Sequence, residues 1–403
     1  MGELELTLDR TTEEGNEPEE EGNEMTGSVR RRGETWTAYW FVRNPATGKH
    51  RQHSKGGFKT KGAAQKHLNT ILGKVEDGSW TPDAKITMRQ LLQEHWLPAQ
   101  RARGLRATTL AGYEGAINSW IVPRLGGLPV ASLTPAVVVE FMAALRSEKS
   151  ANRRNGLSAR TVQLATGVLK SACAWAVQAE ILGRNPITGV RRPRSETKPM
   201  KVWTNDDARR FLEATREDRF AFAWALLLAR GLRRGELAGL KWSAIDLDAG
   251  TLRIETTRTV VEGKPAASRP KTAAGLRSIP IDARLVALLR VHRRRQAAEK
   301  LAAGPAYEDS AFLLADELGR PYHPESISRW FDTKVAQLGL PRIRLHDCRH
   351  TAATLMLAAG TPVKVVSEVL GHSSVTTTLS IYAHVLPGMA EEAGARLSEN
   401  LLG

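Results

Sequence analysis

The sequence predicts a mainly α-helical chain with small β elements, an α+β protein of several domains, on three observations. A period-two run of aromatic and small residues near the start reads as strand. Residues 85–185 carry helical spacing throughout. A second strand-rich stretch, 251–281, interrupts an otherwise helical C-terminal half. At 403 residues the chain has room for two to four domains of roughly 100–200 residues, each able to bury its own core.

Composition excludes several classes. Apolar residues make up 41%, ordinary for a soluble globular protein. The longest apolar run, residues 220–229, is flanked by Arg219 and Arg230 and reads as a buried core helix, too short for a membrane span. The acidic N-terminus is unlike a secretory signal or transit peptide. The two cysteines, Cys173 and Cys348, form no CxxC pair, so neither a disulfide framework nor a zinc site is indicated and the cytosol is the default compartment. Residues 1–25 hold ten acidic groups against one arginine, a net of −9, so the whole-chain charge of +15 leaves +24 on the other 378 residues. That balance points to a polyanion, most simply nucleic acid, with a generally basic soluble protein as the alternative.

Along the chain, residues 1–27 are Glu- and Gly-rich and read as a disordered acidic tail. Translation from Met25 is the alternative to a functional tail. Residues 28–80 read as a small sheet followed by one helix. Trp36, Ala38, Trp40 and Val42 alternate with Thr37, Tyr39, Phe41 and Arg43, a turn follows at 44–48, and a helix is expected over 60–75. Between Ser28 and Lys74 there are eleven Lys/Arg and one acid, Glu34. Basic residues interleaved with aromatics suit DNA contact, and Arg30, Arg31, Arg32, Trp40 and Arg43 are the candidates; a solvated basic face over an aromatic core is the other reading.

Residues 81–188 read as a helical bundle-like unit. Met88, Leu91, Leu92 and Trp96 fit a 3.6 period. A second helix is expected over 109–121. Thr134-Pro135 caps and opens a third, and a fourth should run from 158 to 178, stopped by Leu182-Gly183-Arg184-Asn185-Pro186. Residues 189–200 form a Pro- and charge-rich linker in which Arg191 and Arg192 are candidate phosphate contacts. Residues 201–386 make the last domain, mostly helical, with strands expected at 251–257, 259–261 and 277–281 and turns at 248–250 and 262–264. Residues 387–403 form a tail, of which 390–402 could be one amphipathic helix.

Five stretches of the last domain hold polar groups of exposed type beside turns or glycines. They present Arg233, Lys271, the pair His346 and Arg349, His372, and Tyr382. Two arginines can grip the non-bridging oxygens of a phosphodiester with charge-assisted bonds, and phosphoryl transfer is catalysed chiefly by such positioning and charge stabilisation. His346 and Arg349, at i and i+3, share a helix face. A tyrosine becomes a nucleophile once its proton, with a free pKa of about 10, is removed. Lys271 could protonate a leaving 5′ oxygen. Each residue alone has a blander reading: Arg233 as an ion-pair partner, His372 as a helix cap, Tyr382 as a half-buried core residue. His346 and His350, at i and i+4, could hold a metal, but no acidic cluster accompanies them and Arg349 would repel a cation.

The ordered set resembles the tyrosine recombinases, the family that includes the phage lambda-type integrases. "ARGLRRGELAGLKWSAIDL" is similar to that family's first arginine box, with Arg233 at the catalytic arginine and Glu236 at the supporting acid. "RPKTAAGLRSIPI" resembles its β-hairpin lysine segment, with Lys271. "LHDCRHTAATLML" resembles its His-x-x-Arg box, with His346, Arg349 and a supporting His350. "VLGHSSVTTTLSIYAH" resembles the second histidine and the nucleophile, His372 and Tyr382 ten residues apart. The likeness covers 28–390 in architecture and is sharp over 225–385.

The resemblance implies three domains: an arm-binding domain of a three-stranded sheet plus helix, a helical SAM-like core-binding domain, and a mostly α catalytic domain with a β insertion. It implies that Tyr382 attacks DNA to form a 3′-phosphotyrosine, that Arg233, Arg349 and His372 hold the phosphate, and that Lys271 and His346 handle protons, with no metal, ATP or other cofactor. It implies double-stranded DNA attachment sites of core and arm type as partners, a homotetramer on DNA, and cytoplasmic, nucleoid-associated action without a membrane. An excisionase and a host DNA-bending protein are the accessory partners it would bring in, though the sequence specifies neither. The arm-like domain favours integration and excision of a phage or mobile element. A type IB topoisomerase-like nicking-closing enzyme, a catalytically silent DNA-binding regulator and a metal-dependent nuclease are the competing readings; the last lacks its carboxylates. Cys348 stands where the family commonly has leucine and reads as a small buried apolar residue. In the family, a C-terminal tail packs on a neighbouring protomer.

Overall fold

The computed structural model describes residues 27–43, 50–76, 80, 86–148, 156–194, 200–270, 273–382, 395 and 398–402, apart from the side chains of 43, 273, 377 and 380–382. The acidic tail with Met25, the turn at 44–48, Lys271, residues 195–199 of the linker and most of the C-terminal tail lie outside the described residues. The chain divides into two compact units, 1–195 and 196–403.

In the first unit, strands β1 (Gly27–Arg32), β2 (Thr35–Arg43) and β3 (His50–Phe58) pair antiparallel in that order. Helix α1 (Lys61–Glu76) follows, its start held by the Thr60 hydroxyl, which accepts from the Ala63 amide at 3.2 Å. The alternation in β2 sends Ala38 and Trp40 inward against Leu68 of α1 and against Trp80. Trp40 is 5% exposed and packs edge-on to Trp80 and His67. It is a core residue with no face left for DNA, which corrects the expectation that it contacts DNA. Periodicity located the inward face, but could not say that a helix covers it. Arg30, Arg31 and Arg32, on the edge strand β1, are exposed.

The helical part opens with a wide-turn segment, Gln90–Trp96, continuing into α2 (Leu97–Ala102). Helix α3 (Ala107–Ala116) runs through a second wide-turn segment, Ile117–Ile121, into α4 (Val122–Leu125). In each, one amide bonds five residues back, Leu97 to the Leu92 carbonyl and Val122 to the Ile117 carbonyl. One residue after each comes a proline, Pro98 or Pro123, whose ring would clash with an ordinary helical carbonyl. Helix α5 (Pro135–Ser147) is capped by Thr134, and α6 (Ala159–Gln178) by Ser158, at the starts the sequence predicts. Met88, Leu91, Leu92 and Trp96 are fully buried with Ile117, Val138 and the inner face of α6.

In the second unit, α7 (Asn205–Ala214) is followed by α8 (Ala221–Arg230) and the short α9 (Arg234–Ala238). Helix α8 is the apolar run of the sequence, and Phe222 to Leu228 are buried along its length. Strands β4 (Ile245–Asp246), β5 (Thr251–Ile254), β6 (Thr257–Val261), β7 (Lys264–Ser268) and β8 (Arg277–Pro280) make the insertion. They form a sheet ordered β4-β5-β8 and a separate β6-β7 hairpin. The expected strand 251–257 is thus split between β5 and β6, and β7 was not expected. Its hairpin turns on Glu262 (φ 50°) and Gly263 (φ 76°), the two positive dihedrals that a tight right-twisting turn needs. Helices α10 (Ala283–Ala303), α11 (Pro324–Gln337), α12 (Asp347–Ala358), α13 (Val363–Leu370) and α14 (Val375–Tyr382) complete the unit. Its core joins Trp203, Phe211, Trp224 and Phe331 to the sheet's Leu252, Ile254 and Ile279. Among the described residues, no helix is long and apolar enough to cross a membrane.

Candidate active site

The site grows from two helix ends. Helix α8 stops at Gly231, in the left-handed conformation (φ 63°), and the chain re-enters α9 two residues later with Arg233 as its extended N-cap residue. Glu236, in the first turn of α9, accepts from the Arg233 amide at 2.9 Å and from its Nη1 at 2.6 Å. The first satisfies an amide that a helix start leaves unpaired. The second fixes the guanidinium, whose side chain keeps 39% exposure and so retains a face toward solvent.

The second end is that of α13. Gly371 (φ 67°) and His372 close it: the Gly371 amide donates to the Glu368 carbonyl and the His372 amide to the Ser367 carbonyl, each at 3.0 Å. This pairing is a glycine-terminated helix stop. The next three carbonyls have no helical donor, and each is taken by a different arginine. Arg277 Nε donates to Val369 at 2.7 Å, Arg349 Nη2 to Leu370 at 2.6 Å, and Arg233 Nη2 to Gly371 at 3.2 Å. The negative end of a helix dipole therefore gathers three cations. Arg349 also donates from Nη1 to the Gly231 carbonyl at 2.9 Å, joining the two ends. It is 3% exposed, so the expectation of an exposed-type group fails there. Its two described bonds run to carbonyls inside the unit, and burial of a guanidinium needs such partners.

Beneath this cluster, Glu236 is 2% exposed and meets Arg277 through two bonds of 3.0 Å. Burial would raise its carboxyl, but the hydrogen bond and charge of Arg277, then Arg233, outweigh it and hold the group below the usual carboxylate range.

Three histidines line the same region. His372 Nδ1 lies 2.7 Å from the hydroxyl of the buried Thr378, which fixes the ring and turns Nε2 the other way. Burial, then the charges of Arg349 and Arg233, press its pKa down to about 4. His346, the N-cap residue of α12, is lowered by desolvation of its packed side and then by the charges of His350 and Arg349. His350 is lowered by burial, against which Asp347 pulls up. Its ring meets that of His346 edge-on at 5.3 Å. A neutral imidazole at each position can accept or donate a proton at neutral pH. Among the described residues, no three His, Cys, Asp or Glu groups gather as a metal site.

The structure thus brings together Arg233, Glu236, His346, Arg349, His350 and His372. Tyr382 is the last residue of α14, with its side chain outside the described set, as is all of Lys271. Arg191 and Arg192 are exposed and belong to the first unit. Sequence reasoning missed Arg277. It stands in the "RPKTAAGLRSIPI" segment at the start of the expected strand 277–281, and its sequence gives no sign of burial, since an arginine is ordinarily exposed.

Comparison with known proteins gives three family matches: the phage integrase family over 201–388, an arm DNA-binding domain over 28–75, and the phage integrase N-terminal SAM-like domain over 87–146. A tyrosine recombinase XerC-like protein of Caldanaerobacter subterraneus subsp. tengcongensis is 27% identical over 361 residues, covering 85% of this chain and 90% of its own. The Tn1549 transposon integrase in complex with transposon right end DNA shares the fold at a TM-score of 0.63 and 23% identity, covering 79% of this chain and all of that one. The lambda integrase in its tetramer bound to a Holliday junction does so at 0.54 and 20%, covering 85% and 92%. With arm, SAM-like and catalytic segments matched one after another along it, this chain belongs to the phage integrase family of tyrosine recombinases.

Proposed function

We propose that this enzyme cuts and rejoins double-stranded DNA at attachment sites, with Tyr382 as the nucleophile, to integrate and excise a phage or mobile element. The observation that supports it best is the convergence of Arg233, Arg349 and His372 on one helix end, beside a partly open Arg233 guanidinium. The Tyr382 oxygen attacks the scissile phosphorus, the P–O5′ bond breaks, and a 3′-phosphotyrosyl ester and a 5′-hydroxyl result. Rejoining reverses the step, so the phosphodiester energy is conserved and no ATP is consumed. Arg233 grips a non-bridging oxygen, and Arg349 adds positive potential from within the wall. His372 donates from Nε2, and His346 takes the tyrosine proton. Lys271 protonates the leaving oxygen. Charge neutralisation is thereby assigned to guanidinium groups, and the reaction should run in EDTA.

Arg30, Arg31 and Arg32, with Arg43, Arg191 and Arg192, are assigned to phosphate contacts. The arm match supports a second class of DNA site, and the tetrameric lambda relative supports a homotetramer on DNA. An excisionase and a host DNA-bending protein are further proposed partners, and the bacterial nucleoid the proposed location. The test is recombination between two plasmids carrying the junction sequences of the element that encodes the gene. Wild type should give recombinant product and Tyr382→Phe none. Deletion of residues 1–80 should lower recombination while leaving core-site binding intact. Product from Tyr382→Phe would overturn the nucleophile assignment, and unchanged recombination by the truncated chain would overturn the arm assignment.

A further inference from the structure

Arg277 has no role in the reaction as assigned above, yet it bonds both Glu236 and the α13 end. Its side chain is 7% exposed. Its guanidinium donates from Nε to the Val369 carbonyl at 2.7 Å, and from Nη1 and Nη2 to the two Glu236 oxygens at 3.0 Å each. Nη1 also leans toward the Gly275 carbonyl at 3.4 Å. So occupied and so deep, it cannot reach DNA from here.

What Arg277 holds is both anchors of Arg233. Arg233 is fixed by Glu236 on one side and by the Gly371 carbonyl on the other. Arg277 orients the Glu236 carboxylate, and through Val369 it pins the turn whose Gly371 carbonyl faces Arg233. The fit around it is close: a β-carbon added at Gly371 would lie 2.8 Å from Arg277 Nη1. Only a planar fork of five donors can bond a carboxylate in parallel and a carbonyl at right angles. A lysine ammonium would keep the charge and lose that geometry. The residue sits at the start of β8, 41 positions from Glu236 and 92 from Val369. It thus ties together the β insertion, the first arginine box and the α13 end.

We propose that Arg277 is a positioning residue, which sets the rate of strand cleavage by holding Arg233 in the orientation that meets the scissile phosphate. The inference rests on the assignment of Arg233 as a phosphate-gripping residue.

The test uses the full chain and single-turnover cleavage of a nicked core-site duplex, with wild type run first. Absence of a wild-type covalent adduct would count against the recombinase reading itself. With that adduct in hand, Arg277→Lys should bind the duplex within about threefold of wild type and melt as a single folded species. It should cleave on the order of 100-fold more slowly, the loss typical of a misplaced stabilising donor. Arg233→Lys should be similarly slow. The double variant should fall within about threefold of Arg233→Lys alone, because the second change removes support from a group already lost. Multiplied losses in the double variant would overturn the proposal, as would a cleavage loss in Arg277→Lys matched by an equal loss of binding. Should Arg277→Lys fail to fold, the same cycle with Arg277→Gln gives the same two outcomes.

Discussion

The Leu370 carbonyl accepts a 2.6 Å hydrogen bond from Arg349, the middle of three successive carbonyls each held by a different arginine. A helix ending in Gly-His would normally leave these oxygens to water. Here they are the scaffold on which the positive charge of the site is mounted, so the geometry of the turn at 369–372 and the placement of the arginines are one problem.

Gly371 should be intolerant of a side chain. Its φ of 67° disfavours any β-carbon, and an added one would come within 2.8 Å of the Ala274 carbonyl and of Arg277 Nη1. Gly371→Ala should cost about 2 kcal/mol in urea denaturation and slow cleavage as well. Wild-type stability in that variant would contradict the described turn.

Glu236 lies between two cations at 2% exposure. Glu236→Gln keeps the shape and removes the charge, leaving Arg277 and Arg233 facing each other. The expected loss is about 3 kcal/mol of unfolding free energy, read by chemical denaturation. A change below about 0.5 kcal/mol would show that the pair is not buried in solution.

Acid should destabilise the fold before carboxylates titrate. His372 and the buried His292 are both pressed to about 4, against about 6.5 in an unfolded chain. Between those values the unfolded state binds more protons, so unfolding free energy falls as pH drops from about 6.5 to about 4 and these two groups contribute no slope above it. The summed effect is a few kcal/mol, measurable by urea denaturation at pH 7.5, 6 and 5. Equal stability at all three would refute the depressed values. NMR titration of His372 near 6.5 would do so for that residue alone.

Both cysteines are fully buried. Burial pushes the Cys173 thiol up to about 12 and raises that of Cys348 as well. Neither should react with a thiol reagent in the native protein, and both should after unfolding. Rapid native labelling would place one of them at the surface.

Replacing Arg30, Arg31 and Arg32 together by alanine should flatten the salt dependence of binding to duplexes carrying arm-type sites, lowering the log–log slope by about 2 to 3. An unchanged slope would remove β1 from the interface.

The readable parts of the sequence were those whose chemistry is local. Thr134 and Ser158 announce helix starts because a cap bonds within three residues, and the buried face of the first bundle helix follows from spacing alone. Strand β7, with the sequence KPAAS, has no strand signal of its own. It pairs because the Glu262-Gly263 turn returns it onto β6. The wide turns before Pro98 and Pro123 adjust a helix without changing its hydrophobic pattern. Trp40 misled because a period-two pattern names a face but not its cover. Arg277 stayed hidden because its partners stand 41 and 92 positions away, and only folding reveals what a buried arginine bonds.

The most direct test of the central claim is a nicked suicide duplex incubated with the enzyme in EDTA and resolved under denaturing conditions. A covalent protein–DNA adduct whose nucleotide-bearing peptide contains Tyr382, and which is absent in Tyr382→Phe, is the expected result. Tight binding to the same duplex without an adduct, or an adduct that persists in Tyr382→Phe, would contradict it.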